Sequence, residues 1–157
     1  QMRAQHGVET LGQDASARES IRVLRSGRIL GLLCDLEARQ LDGEFVPFLG
    51  HPALTMTAPA AIARAARAPI LPVRCVFDTE RQRYQVLVDE PIRPRTDLNR
   101  TEATSDLLGR MNQVYETWIQ AHPEQWAWHQ RRWWTTQGTF DAIPNPSFRK
   151  DKRQREI

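Results

Sequence analysis

Between Gly7 and Gly12 the residues Val8, Glu9, Thr10 and Leu11 alternate apolar and polar, the pattern of a short half-buried strand. Asp14 then stands where a helix cap belongs, ahead of a segment from about Ala15 to Ser26 that sets Ile21 and Leu24 on one face and ends at Gly27. The run Arg28 to Cys34 is almost wholly apolar and ends at Asp35, which predicts a central strand buried on both faces with a carboxylate at its C-terminal end. From Leu36 to His51 no period holds; Gly43, Pro47 and Gly50 punctuate a stretch that reads as a shaped loop. Pro59, after Thr57, opens an alanine-rich helix to about Ala68, which Pro69 helps to end. Ile70 to Phe77 and Tyr84 to Asp89 predict two strands joined by a charged hairpin, Asp78 to Arg83, with Pro72 a flaw in the first. From Thr101 the residues Leu107, Leu108, Met111, Val114, Tyr115, Trp118 and Ile119 keep the 3.6-residue period of a long amphipathic helix. Pro123 stops it, a short turn or helix covers Glu124 to Trp134, and past Gly138 the chain turns polar.

The 157 residues suit a single core with tails rather than two domains. Hydrophobic residues at 40% and charged ones at 26% exclude wholesale disorder. The formal net charge of +3 is unevenly spread, because Arg131, Arg132, Arg149, Lys150, Lys152, Arg153 and Arg155 crowd the C-terminal end. Such an end beside aromatic residues suits nucleic acid, anionic lipid or an anionic substrate, or is simply a solvated tail. Cys34 and Cys75 both lie in apolar runs, which argues against a disulfide framework and for a reducing, cytosol-facing setting. Neither belongs to a metal-ligand set, and no apolar stretch of 18 residues is present to span a bilayer. The chain opens on Gln1 and enters its first strand at once, which reads as a truncated or excised fragment, Met2 being the other available start.

Three segments, in order, resemble the bacterial lipid A lauroyl/myristoyl acyltransferase family, which also includes mycobacterial phosphatidylinositol-mannoside acyltransferases. Gly31-Leu32-Leu33-Cys34-Asp35, leading into Gly43-Glu44-Phe45-Val46-Pro47-Phe48-Leu49-Gly50, is similar to a strand-to-loop motif that usually ends Phe-Phe-Gly. Thr57-Ala58-Pro59-Ala60-Ala61-Ile62-Ala63-Arg64, followed by Ala68-Pro69-Ile70-Leu71-Pro72-Val73, resembles the family helix and next strand, with Ala58 where Gly often stands. Pro123-Glu124-Gln125-Trp126-Ala127-Trp128-His129-Gln130-Arg131-Arg132-Trp133 resembles the terminal signature, Trp126 and Trp133 replacing its usual Tyr and Phe. The resemblance implies an α/β fold, a mixed sheet flanked by helices of the glycerolipid and lipid A acyltransferase kind, here incomplete. Residues 1–134 are then the C-terminal part of the acyltransferase domain and 135–157 a basic, mobile tail.

What the resemblance implies chemically is transfer of a fatty acyl chain from acyl carrier protein or acyl-CoA to a hydroxyl of a lipid A precursor or related glycolipid. The setting would be the cytoplasmic face of the bacterial inner membrane, with no metal, cofactor or covalent enzyme intermediate. The family's base is a His with Asp or Glu after four intervening residues, the acid orienting the imidazole that deprotonates the acceptor. Here Leu11, Met56, Ala127 and Trp134 stand five positions after His6, His51, His122 and His129, so catalytic residues are expected upstream of Gln1 and the fragment alone should not catalyse.

For substrate binding the candidates are Asp35, Arg39, Phe48, Leu49, Gly50, Thr57 and Arg64. Asp35 either holds a polar part of the acceptor or caps a loop. Arg39 and Arg64 suit a phosphate or sugar acid by paired hydrogen bonds, or are surface residues. Phe48 and Leu49, with Phe45, either line an acyl pocket or fold their loop onto the core. Trp126, Trp128, Arg131, Arg132 and Trp133 suit a membrane interface, indole at headgroup depth and Arg on phosphate, or a C-terminal helix packing its rings inward. From a different class of function comes a non-catalytic peripheral membrane or anionic-lipid binding module carried by that end. A nucleic-acid binder ranks last, because no recognisable motif accompanies the basic aromatic end.

Overall fold

The computed structural model describes residues 5–12, 16–38 and 43–141. Helix α1 runs from Ala17 to Arg25. Ser16 caps it in extended backbone, its hydroxyl accepting from the Glu19 amide at 3.3 Å, and Gly27 follows the last turn at φ +79°. The cap assigned to Asp14 lies outside the described residues. Two expected strands do not form. Residues 7–12 are exposed but for half-buried Leu11, and the run Arg28 to Cys34 joins no ladder. Ile29 and Leu33 stand 94% and 93% exposed, and in the run only Cys34 is buried. A strand buried on both faces needs a neighbour on each edge to satisfy its backbone. Among the described residues no strand pairs with this run.

The stretch from Leu36 to His51, expected as a loop, instead supplies most of a hairpin. Strands β1 (Gly43–Phe48) and β2 (His51–Met56) pair antiparallel, Gly43 opposite Met56 and Phe48 opposite His51. Leu49 and Gly50 make the two-residue turn at φ +49° and +78°, the positive values a type I′ connection demands. Gly43 is required by proximity: a Cβ there would come within 2.7 Å of Leu54 Cγ and 2.8 Å of the Ala38 methyl. Ala38 runs along the other edge of β2, its amide donating to Leu54 O at 3.0 Å.

Helix α2 (Ala58–Ala66) starts with Pro59 in its first turn and ends at Arg67, φ +55°. Strands β3 (Val73–Asp78) and β4 (Arg83–Val88) form the second hairpin, in register Val73 with Val88 and Asp78 with Arg83. The Asp78 carboxylate holds its turn by accepting from the amides of Arg81 and Glu80 at 3.0 and 3.1 Å. Chiefly the bond from the Arg81 amide keeps that carboxyl below its ordinary range. No mixed sheet unites these elements: β1–β2 and β3–β4 are separate two-stranded antiparallel sheets. The run Arg28 to Cys34, expected as a central strand, pairs with neither. The mixture of α and β is retained; the mixed sheet is not.

Helix α3 (Arg100–Ala121) opens on a complete capping box, Asn99 Oδ1 accepting from the Thr101 and Glu102 amides at 3.0 Å while Glu102 accepts from the Asn99 amide. Its face of Leu107, Leu108 and Met111 meets Cys34, Val46, Ala60, Ala63 and Ile92 in the main core. Farther along, Ile119 joins Phe48 and Ala53 in a second cluster, with Trp126 and Trp133 packed on it. After one 3-10 turn, Pro123–Gln125, the chain is irregular until the short α4, Gln137–Asp141. Of the segment 135–157, residues 137–141 are helical and 142–157 lie outside the described residues.

Candidate functional site

A cleft of about 270 Å³ lies between residues 32–35, β3 and the C-terminal end of α3. Tyr115, Trp118, Ile119 and His122 reach it together because positions i, i+3, i+4 and i+7 of a helix share one face. Leu32, Val73 and Val76 make the opposite walls largely apolar. The charged groups on its lining are Asp35 and Arg74, with the His122 imidazole beside them. Tyr115 and Trp118 pack ring to ring at 5.4 Å, and the Trp118 indole N–H donates to the Asp89 carboxylate. Arg74 sits over the Trp118 ring, Cζ 5.4 Å from its centroid.

Asp35 shapes the ionisation of its neighbours. Burial, and then the nearby Asp35 charge, push the Cys34 thiol up to about 12. Tyr115 is raised for the same first reason, with the Cys34 and Asp35 charges adding and Arg132 opposing. His122 Nδ1 is 3.6 Å from Glu124 Oε1, too far for a hydrogen bond, so no oriented imidazole and carboxylate dyad forms there. Among the described residues no three His, Cys, Asp or Glu side chains gather as a metal site, and no helix is long and apolar enough to cross a membrane.

The cysteines give a direct check on this cleft. Cys34 is buried and Cys75 exposed, and only a thiolate is nucleophilic. At neutral pH iodoacetamide is expected to label Cys75 first and Cys34 at least about a hundredfold more slowly, catching up in denaturant. The folded thiol stays protonated where the unfolded one ionises, so this group's contribution to stability is complete below about pH 9 and declines between about 9 and 12. Equal native labelling of both residues by mass spectrometry contradicts the arrangement.

The C-terminal signature splits between interior and surface. Arg132, assigned by the sequence to an interface, is 1% exposed. Its guanidinium donates to Leu54 O at 3.2 Å, Thr55 Oγ1 at 2.9 Å and Asn112 Oδ1 at 3.4 Å, and lies 4.4 Å over the Phe48 ring. Burial lowers it to about 10, with the charges of Glu37, Asp35 and Tyr115 resisting. Glu37 fastens the same segment: its two carboxylate oxygens accept from the Trp134 and Thr135 amides at 2.8 and 2.9 Å, and its own amide donates to Arg131 O. Trp126 and Trp133 turn inward onto Phe48, ring centroids 5.8 and 5.5 Å away. Trp128 and Trp134 stay more than half exposed, Arg131 stacked 4.0 Å over the Trp134 ring. Of the interface set, then, Trp128 and Arg131 face outward, joined by Trp134.

The remaining candidates scatter. Phe48 is wholly buried and offers no wall to a pocket. Leu49 and Gly50 form the hairpin turn, where Glu116 Oε1 accepts from the Leu49 amide at 2.8 Å. Thr57 precedes α2 and Arg64 lies in its last turn, neither on the cleft. Arg39 falls outside the described residues. Asp35 alone of the set lines the cleft, and sequence reasoning missed Arg74, His122 and the cleft-facing side of Tyr115 and Trp118. The helical period carried a signal for the α3 residues; for Arg74 there was only its alternation with Val73 and Cys75.

Helices on two small antiparallel sheets, with an apolar cleft that carries one carboxylate and one guanidinium, make up a mixed α/β domain. The chain belongs to the bacterial lipid A biosynthesis acyltransferase family, whose model matches residues 1–135. The match runs from the start of the chain through the Arg131-Arg132-Trp133 signature and the residues Glu37 fastens. No curated protein matches the chain closely enough to count as a relative.

Proposed function

We propose that the chain is the later part of a lauroyl/myristoyl-type enzyme that moves a fatty acyl chain from acyl carrier protein or acyl-CoA to a hydroxyl of a lipid A precursor or related glycolipid, at the cytoplasmic face of the bacterial inner membrane. The family match over residues 1–135 carries the reading. The 157 residues hold no histidine with an acid five positions on, so the base that removes the acceptor proton comes from outside them and this chain by itself is inactive. Asp35 is the acceptor-positioning group: a carboxylate in an apolar cleft can take a hydrogen bond from a hydroxyl and hold it for attack on the thioester.

The test uses the polypeptide as its gene encodes it, with acyl carrier protein and acyl-CoA thioesters and a lipid A precursor. Acyl transfer is expected, falling about a hundredfold in Asp35→Asn with the melting temperature unchanged. Absence of transfer from either donor overturns the reading. A second reading, a peripheral module that binds anionic lipid without turnover, is favoured by one observation, the outward Trp128 and the Arg131–Trp134 stack. Vesicle binding with no thioester consumed would move the assignment there.

A further inference from the structure

Arg74 is the charged group on the cleft for which acyl transfer has no use. Two of its nitrogens, Nε and Nη1, are closed off from solvent and have no hydrogen-bond partner, and no carboxylate oxygen among the described residues comes within 4.0 Å of it. A guanidinium in that state is expensive, because its donors have left water without an acceptor in exchange. Neither Asp89 nor Asp35, the carboxylate on the cleft lining, is paired with it. Asp89 already accepts from the Trp118 indole, and Asp35 adds its charge at Cys34, Tyr115 and Arg132. What fits such a cation is an anion brought in by a ligand.

The rest of the cleft says what the anion is attached to. Leu32, Val73, Val76, Ile119 and Trp126 present hydrocarbon along its length. At about 270 Å³ it falls just below the 300 to 1,000 Å³ of ordinary small-molecule pockets, which suits one slender chain. We propose that the cleft binds a single-chain amphipathic anion, its carboxylate or phosphate head on Arg74 and its alkyl chain along the apolar wall. The site shares its cleft with Asp35, and binding there needs no catalytic residue. A carboxylate head comes from a free fatty acid and a phosphate head from a single-chain phospholipid, and the chemistry at Arg74 is the same for both.

Calorimetric titration of the protein below micelle-forming concentrations tests it. The probes are decanoate and decyl phosphate, with decanol as the neutral chain and inorganic phosphate as the chainless head. Saturable binding is expected for at least one of the two anions, and the tighter one identifies the head. Arg74→Gln should weaken it about tenfold or more, Arg74→Lys should keep most of it, and decanol and inorganic phosphate should each bind at least about tenfold more weakly. Val76→Trp, which fills the cleft and leaves Arg74 in place, should abolish binding with an unchanged melting curve. The proposal is overturned if neither anion saturates, if Arg74→Gln folds and binds as the parent does, if decanol binds as well as decanoate, or if Val76→Trp folds and still binds.

Discussion

Arg132→Ala is expected to lower the unfolding free energy by about 3 kcal/mol, read from urea denaturation. Two effects sum in that figure. The aliphatic stem and guanidinium fill space between β2, α3 and the Phe48 ring, and their loss leaves a void that a packed interior closes only in part. The carbonyl of Leu54, the Thr55 hydroxyl and the Asn112 amide also lose their common donor in a place water does not reach. Arg132→Met separates the two, because it restores most of the volume and removes the charge; it should recover more than half of the loss. A methionine variant as unstable as the alanine one shows that donated hydrogen bonds dominate. An alanine variant within about 0.5 kcal/mol of the parent shows that Arg132 is not interior at all.

The charge on Arg132 has its own signature in pH. Burial depresses it to about 10, so the folded chain releases its proton before the unfolded one does. Its contribution to stability is therefore unfavourable below about pH 10 and improves as pH rises from there toward the ordinary arginine range. Cys34 and Tyr115 run the other way over the same range, since their neutral forms are the ones the interior favours. Arg132→Met should consequently steepen the alkaline loss of stability, and Cys34→Ala should flatten it.

Which parts of this molecule its sequence discloses follows from how far the relevant contacts reach. Helix α3 is legible because both of its signals are local: the Asn99 and Glu102 capping box and the period from Leu107 to Ile119 lie within one segment. The β3–β4 hairpin is legible for the same reason, its charged turn carrying the Asp78 side chain that folds it. The β1–β2 hairpin is hidden by its own punctuation, since Pro47 faces Pro52 across the ladder and a leucine occupies the first left-handed turn position. The run Arg28 to Cys34 misleads differently. Apolar residues record an affinity for burial, not the identity of what covers them, and Ile29 and Leu33 find no cover among the described residues. At the site the same distinction holds. Asp35 is legible as the end of an apolar run, while nothing local separates Arg131, stacked outside on Trp134, from Arg132, drawn inside by Thr55 and Asn112 far away in sequence.

Phe48→Ala is expected to cost about 3 to 5 kcal/mol, the largest effect of any single truncation in the second core cluster. The residue is 0% exposed, and three partners brought from the C-terminal signature converge on its ring: Trp126, Trp133 and the Arg132 guanidinium. Phe48→Leu keeps most of the volume and should lose no more than about 1.5 kcal/mol, with the ring-specific contacts accounting for the remainder. The native tryptophan emission should shift to the red in the alanine variant, because Trp126 and Trp133 lose the surface that shields them from water. A double-mutant cycle with Arg132→Met decides how the signature is held. If the guanidinium and the ring act as one unit, the two losses fall short of adding by about 1 kcal/mol, the usual strength of a cation over an aromatic face. Strict additivity would mean that Phe48 holds the tryptophans and Arg132 holds β2 and α3 independently. In that case the signature is fastened at two separate points, with Glu37 on the Trp134 and Thr135 amides as a third.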